Sequence, residues 1–415
     1  MKRKKYWFLF AILLLSLSSL SPSFDFTHNT RREPPGDDPV PPQQRPEIPE
    51  SDLGPIKVGV QLEPDQIVAL SKLNEHFMDE TGARVEIIPF ASETQDKDSF
   101  LLHMTLGDGP DILLTDSHYI KALAMNGYLM PVDSSQSVVT GGEIINGLLS
   151  PLQWNGYQWG VPFDMDPYVM VREQKHKDGS AFEMPIDHAS WLDLFEAYED
   201  EAQTPLISFD LHDPYAFGAA VHLLEGNPSL PEEEVLDLLL RNAEVSAPET
   251  DDAEQQSKDV NPGKSPIVIG PYSRIEAKDL SDSSYGLATG QAHLNTPVVR
   301  TRSLAVSAHT ESSALAMKWI AYMTSKEIEQ QWSQSVGTLP VISELFVNSS
   351  MIGDTGLWQA AALPIQLLLT RNEAAVLEFG NTEGLTTYKN FATRLLEGRI
   401  TKEEYMELYR IEEAK

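Results

Sequence analysis

Two segments constrain this chain more than any other feature. One is Asp108-Gly109-Pro110-Asp111-Ile112-Leu113-Leu114-Thr115-Asp116, and the other is Gly160-Val161-Pro162-Phe163-Asp164-Met165-Asp166-Pro167-Tyr168. Each is a short apolar run with turn residues beside it, ending in polar or aromatic side chains. In an open α/β sheet, the residues just past the strand ends line the crevice where ligands bind. Two such runs about fifty residues apart read as two walls of one cleft.

The surrounding pattern supplies the sheet. Residues 56–60 alternate like a half-buried strand. Residues 64–80 carry Ile67, Leu70, Leu73 and Phe77 at helical spacing, and Gly82 follows as a C-terminal stop. Further strands are expected at 85–88 and 112–114, with helices at 100–106 and at 119–125, the latter closed by Asn126-Gly127. Strands alternating with helices imply an α/β fold, mainly parallel, with helices on both sheet faces. Ser190 is expected to cap a helix that starts at Trp191, with Asp193 in the third position. Residues 235–240 form another helical face, and 245–264 read as a polar, acidic loop. A short strand at 267–269 is expected to break at Gly270-Pro271. A strand at 303–307 precedes helices at 314–323, 327–333 and 357–369. Thr401-Lys402-Glu403-Glu404 is a capping box for a last helix.

At 415 residues the chain exceeds one small core, and two domains are expected. Lys and Arg number 31 against 62 Asp and Glu, a net charge of −31. Such a polyanion does not bind nucleic acid, which needs clustered cations to neutralise phosphate. Cysteine is absent, so disulfides, thiolate metal sites and cysteine nucleophiles are excluded. Lys2-Arg3-Lys4-Lys5 precede an apolar run at 6–15 and a Ser-rich stretch at 16–23, the layout of an export signal. The run is short for a transmembrane helix. Residues 1–24 are therefore a signal peptide or a retained N-terminal anchor. Residues 25–55, with Pro34, Pro35, Pro39, Pro41, Pro42, Pro46 and Pro49, form a tether that reaches at most roughly 95 Å.

Motifs for chemistry are scarce. There is no Gly-x-Ser-x-Gly elbow and no His-Glu-x-x-His pair. Pro262-Gly263-Lys264-Ser265 resembles the end of a phosphate loop, but Lys258 stands where its leading glycine belongs. Gly107-Asp108-Gly109 lacks the third glycine of a dinucleotide fingerprint. No cofactor and no metal are expected. Asp164-Met165-Asp166 places two carboxylates on one side of an extended segment. They could form a metal site, an acid/base pair, or a polar cluster that holds a ligand or orders a chain crossing. Asp116, His118 and Tyr119 lie just past the third strand, as the facing group. Tyr168, Tyr272 and Trp358 sit at the ends of elements, and Trp154, Tyr157 and Trp159 crowd the approach to Tyr168. Aromatic faces with polar edges suit sugar rings.

In order along the chain stand Gly109-Pro110-Asp111-Ile112, Asn126-Gly127-Tyr128-Leu129-Met130-Pro131-Val132-Asp133, Trp159-Gly160-Val161-Pro162-Phe163, Ser190-Trp191, Ile269-Gly270-Pro271-Tyr272, Leu304-Ala305-Val306-Ser307, the run from Ala316 to Ser325, and Val336-Gly337-Thr338-Leu339-Pro340. With residues 56–61 ahead of an amphipathic helix, this series resembles the carbohydrate-binding, maltose-binding-like solute-binding proteins of ABC importers, over roughly 56–409. The resemblance implies a two-lobed periplasmic-binding-protein-like fold of type II, with lobes joined by a hinge. It implies lobe I from 56–165 and 303–350, lobe II from 166–302 and 351–415, and crossings near Asp166, Arg302 and Ser350. It implies ligand contacts at Asp116, His118, Tyr119, Asp164, Asp166, Tyr168, Tyr272 and Trp358. Tyr272 and Trp358 would stack on a ring while Asp116, Asp164 and Asp166 hold hydroxyls.

The implied protein is a non-enzymatic, extracytoplasmic monomer, secreted or anchored through its N-terminus. It would capture a sugar or oligosaccharide and deliver it to the transmembrane subunits of an ABC permease. The chain departs from the family in three places. It has no lipobox cysteine, Tyr272 stands where the family has Trp, and residues 175–264 are short of clear helices. Two alternatives stay open: a tethered surface sensor without transport, and a secreted glycoside hydrolase using Asp164 and Asp166.

Overall fold

The computed structural model describes residues 55–90, 103–132, 143–173, 188–199, 206–210, 213, 215–224, 233–245, 265–276, 285–287, 299–347 and 382–413. The expected signal, nearly all of the tether, the 245–264 loop beyond its first residue, the 357–369 helix, Ser350 and Trp358 lie outside these residues. Among the described residues no helix is long and apolar enough to cross a membrane.

In chain order the elements are β1 (Ile56–Val60), α1 (Pro64–Thr81), β2 (Val85–Pro89), β3 (Ile112–Asp116), α2 (Ser117–Met125), β4 (Leu129–Met130), β5 (Gln153–Trp154), β6 (Tyr157–Gln158) and β7 (Val161–Glu173). They continue with α3 (His188–Glu199), β8 (Ile207–Phe209), α4 (Ala216–Leu223), α5 (Glu233–Asn242), β9 (Ala243–Val245), β10 (Ile267–Pro271), α6 (Tyr272–Glu276), β11 (Tyr285–Leu287) and β12 (Val299–Ser307). Then follow α7 (Ser313–Met323), α8 (Lys326–Val336), α9 (Glu344–Val347), α10 (Thr382–Leu396) and α11 (Lys402–Glu413).

The local signals act where expected. Gly82 closes α1 with φ 71°, the left-handed conformation that costs glycine least. Asn155 and Gly156, both at positive φ, turn the β5–β6 hairpin. Thr401 and Glu404 form the reciprocal capping bonds that start α11. Two local expectations need correction. Helix α3 begins at His188, so Ser190 lies inside the helix and is not its cap. Strand β10 does not break at Gly270-Pro271, because Gly270 and Pro271 pair with Val169 and Tyr168 of β7, and α6 starts only afterwards.

One sheet runs through the molecule in the order β2-β1-β3-β12-β7-β10-β8-β9, with β4 on β12 and β11 on β7. Pairings are parallel at both ends, β1 with β2 and β3, and β8 with β9 and β10. At the centre they are antiparallel, β12 with β3 and β7, and β7 with β10. The mainly parallel expectation holds for the two ends and gives way where the chain crosses between them.

Two hydrophobic cores flank that crossing. Strand alternation divides the first between two sheet faces. Ile112, Leu114, Leu304 and Val306 pack on one face with Leu70, Phe77, Trp319 and Trp332. Leu113 and Ala305 pack on the other with Met104, Ile120 and Leu123. The second core gathers Met170, Trp191, Phe209, Phe217, Ile269, Leu395 and Tyr405. Strand β7 belongs to both: Val161 and Phe163 enter the first core, Tyr168 and Met170 the second.

The two central strands are pinned where they cross. Opposite Asp164-Met165-Asp166 of β7 stands Arg300-Thr301-Arg302 of β12, in register Asp166–Arg300 and Asp164–Arg302. Arg302 donates to Asp164 through Nε at 2.9 Å and through Nη2, and reaches Gln66 of α1 through Nη1 at 2.7 Å. Trp332 of α8 (2.8 Å) and Thr338 (3.0 Å) also donate to Asp164. Both partners are buried. On the first-core side of this pair the register slips: Ser303 pairs with Pro162, leaving Phe163 as the extra residue of a β-bulge.

A buried pair is costly to break from one side, because the remaining charge is stranded. Asp164→Ala is expected to lower the unfolding free energy by about 3–5 kcal/mol, while the Asp164→Ala/Arg302→Met double variant loses less. Urea titrations of the three proteins check this, and a single variant within about 1 kcal/mol of wild type would refute the assignment.

Candidate functional site

Beyond the pinned crossing, the strand ends bring polar groups from both cores together. Asp116 ends β3 and occupies the N-cap position of α2. A capping Asp normally accepts from the first turn of its helix. Here the side chain makes no capping bond and instead accepts from Arg300 Nε of β12 at 2.9 Å. Burial raises its pKa, but Arg300 and then His118 more than offset that, so the carboxyl lies below its ordinary value. On the same strand end Ser117 shares a hydrogen bond of 2.7 Å with Ser303.

His118 and Tyr119 occupy the first turn of α2 and are half-buried, with ring centroids 4.0 Å apart. His118 Nδ1 lies 2.6 Å from the hydroxyl of Tyr215, which precedes α4 in the second core. Tyr215 in turn lies 6.1 Å, centroid to centroid, from Tyr168. Tyr119, His118, Tyr215 and Tyr168 thus form an aromatic series from one core to the other. Burial, then the Asp116 charge, pushes the Tyr119 hydroxyl up to about 12. Burial also raises Tyr168 and Tyr215, with the charges of Asp213 and Asp116 respectively as the next cause. All three are therefore neutral phenols at physiological pH.

The second core's wall is organised by Asp213 and Asp166. Asp213 accepts from the Tyr168 hydroxyl and from the Tyr215 backbone N–H at 3.0 Å. Asp166 accepts from Ser273 twice, from its N–H at 2.9 Å and its hydroxyl at 2.6 Å. Burial pushes Asp166 up to about 6, against the opposing pull of the Ser273 donors. Arg274 reaches Asp210, past the end of β8, at 3.4 Å.

The expected site residues therefore divide. Asp116, Asp166 and Tyr168 are buried and engaged by neighbouring protein groups, and Tyr272, the first residue of α6, is buried with 3% of its surface exposed. Asp164 is committed to the crossing, where Arg302, Trp332 and Thr338 occupy its oxygens. His118 and Tyr119 reach solvent. Trp154 and Trp159 pack against the first core, and only Tyr157 of that trio is largely exposed. Asp213, Tyr215, Ser273 and Arg300 escaped the sequence reading. For Arg300 a signal existed: Arg-x-Arg on one strand matches Asp-x-Asp on another. Among the described residues no cluster of His, Asp and Glu could hold a metal.

This arrangement holds rigid donors and acceptors around a junction of two cores, with carboxylates already satisfied by protein donors. It suits binding of a polar solute. The sequence pattern of the family described as bacterial extracellular solute-binding protein matches residues 72–354. Comparison with curated protein sequences finds no match. Among solved structures, the maltose-bound T. maritima MalE3 is 16% identical, with a TM-score of 0.66 over 86% of this chain and 98% of that one. An ABC transporter solute-binding protein of Thermotoga lettingae, bound with α-D-tagatose, is 16% identical with a TM-score of 0.65, over 85% and 97%. The GacH receptor of Streptomyces glaucescens, studied unliganded and with acarbose, is 14% identical with a TM-score of 0.65, over 85% and 96%. At these identities the likeness is one of fold, the two-lobed α/β architecture of type II binding proteins. With a family match across most of its length, the chain belongs to the bacterial extracellular solute-binding proteins.

Proposed function

We propose that the protein captures a sugar or oligosaccharide between its two lobes and presents it to the transmembrane subunits of an ABC permease. One observation carries this reading: the aromatic series from Tyr119 through His118 and Tyr215 to Tyr168 joins the two cores beside Arg300 and Asp116. Neutral phenols and a fixed guanidinium offer many hydrogen bonds, and ring faces offer apolar area, the pairing a sugar needs. The sugar-bound state of the similar MalE3 and Thermotoga lettingae structures supports the same class of solute. Export through residues 1–24 and a stand-off tether at 25–55 fit the extracellular family. Lobe boundaries near 165 and 302 accord with the crossing strands. Closure would be a hinge motion selected by a solute that touches both lobes.

Direct contacts are assigned to His118 and Tyr119, with Tyr215 on the opposite wall. Asp213 holds Tyr215 in place, while Asp116 holds Arg300 and Asp166 holds Ser273 beside them, and Tyr272 and Trp358 are the further ring contacts of the proposed site. Calorimetry against a panel of neutral sugars tests this. Tyr119→Ala is expected to weaken binding about tenfold or more, the scale of a lost aromatic contact with its hydroxyl. Met125→Ala, at the exposed far end of the same helix, leaves it unchanged. Equal affinity in Tyr119→Ala would remove this helix from the site.

Asp166 adds a pH signature. Its folded pKa of about 6 lies above the ordinary 3.8. The protonated form therefore contributes stability that is fully present below 3.8 and is lost as pH rises through about 6. Across that window wild type should lose about 2–3 kcal/mol relative to Asp166→Asn, as the shift of roughly two pK units requires. Denaturant unfolding of both proteins between pH 3.5 and 7.5 measures the difference. A flat difference would place Asp166 in a less buried setting.

A further inference from the structure

Arg300 lies at the centre of the junction, and its guanidinium is only partly used. Nε donates to Asp116 at 2.9 Å, while among the described residues no protein acceptor takes Nη1 or Nη2. The side chain is 35% exposed, against 10% for Asp116, so part of it reaches solvent while Nε stays clamped by the buried carboxylate. Its position is fixed twice over. The backbone is held in β12 opposite Asp166, and the Nε edge is clamped by a buried carboxylate. Charges that act on it come from both lobes, Asp116 from the first and Asp213 from the second.

A guanidinium held by one edge offers parallel N–H donors along the other, and these match a pair of oxygens. That pair could be a carboxylate, or two hydroxyls on adjacent carbons. The surrounding charge decides between them. Arg300 contributes one positive charge, and Asp116, Asp166 and Asp213 contribute three negative ones near neutrality, 1 − 3 = −2. Arg274 and Asp210 pair with each other and leave that balance unchanged. An anionic ligand would spend its approach against two uncompensated carboxylates, whereas a diol meets only donors and acceptors.

We propose that Arg300 is a specificity-determining residue of the solute site: its Nη edge reads two hydroxyls on adjacent carbons of a neutral sugar, and the carboxylates around it exclude acidic sugars. This inference rests on the sugar-binding reading above and goes beyond it by naming the feature recognised. Lysine at this position would keep a charge beside Asp116 but could not offer paired planar donors.

The test is calorimetry on the full chain and on Arg300→Lys, with thermal melts to establish that both are folded. Probes are maltotriose, xylobiose and α-D-tagatose, with glucuronic and galacturonic acids as the acidic arm. For the tightest neutral probe, deoxy analogues lacking one hydroxyl of each adjacent pair complete a cycle. Wild type is expected to bind the neutral probe at least about 100-fold more tightly than the acids, and to lose about tenfold with one deoxy analogue. In Arg300→Lys the neutral probe weakens about tenfold or more, and the same deoxy analogue then costs less than about twofold, because the removed hydroxyl has lost its partner. An unchanged deoxy penalty in Arg300→Lys, or acids that bind as tightly as neutral sugars, overturns the inference while leaving sugar binding intact. Absence of binding by wild type to every neutral probe overturns the sugar reading itself, and this inference with it.

Discussion

The pairing of Asp164 with Arg302 is the interaction on which the rest of the structure depends. It joins the two strands that run between cores, and it draws in Gln66 from α1, Trp332 from α8 and Thr338 from the segment that follows. Buried charges of this kind contribute little net stability compared with an apolar replacement, but they tolerate few alternative arrangements. Three stretches distant in sequence, around Asp164, around Arg302 and from Trp332 to Thr338, must arrive together before the carboxylate is satisfied, and α1 adds Gln66 as a second acceptor for Arg302. The register of β7 on β12 follows from that, and with it the position of Asp166 opposite Arg300.

From this point the site grows outward in layers. Buried carboxylates hold the groups that surround the junction: Asp116 holds Arg300, Asp213 holds Tyr168 and Tyr215, and Asp166 holds Ser273. Each acceptor is used internally, so the rotamers of its partners are set before any solute arrives. Preorganisation of this sort reduces the ordering cost of binding.

Much of the framework was legible in the sequence because it rests on local rules. Residues 56–60, 64–80, 85–88 and 314–323 carry clean periodicity, and Gly82 and Thr401 carry clean end signals; each element formed within two residues of its expected span. Residue type alone places a boundary at Ser190 and at Gly270-Pro271, whereas helix α3 starts earlier, at His188, and strand β10 runs on through Pro271. Tertiary pairing with β7 overrides the break at Gly270. The site was less legible. Sequence position singles out Asp116, His118, Tyr119, Asp166 and Tyr168; the first three do follow a strand into a helix, whereas Asp166 and Tyr168 lie within β7. Asp164 stands beside them in sequence yet serves the crossing, a distinction visible only once Arg302 and Trp332 arrive from more than a hundred residues away. Asp213 and Tyr215 sit in a stretch with no periodic signal, and Arg300 lies ahead of the expected 303–307 strand, where only its Arg-x-Arg spacing points to the Asp-x-Asp of β7.

The bulge at Phe163 gives the crossing a mechanical polarity. Its extra residue is fixed in the first core against Trp332, with ring centroids 5.0 Å apart, immediately before the Asp164 clamp. Bulged ribbons are pre-twisted, and further torsion there would pull an aromatic anchor out of its seat. The ribbon is therefore braced on that side, and just beyond the clamp Met165 exchanges both of its backbone hydrogen bonds with Leu339. On the other side of the clamp the same register sets Arg300 opposite Asp166, so the bulge and the clamp together fix where the guanidinium stands.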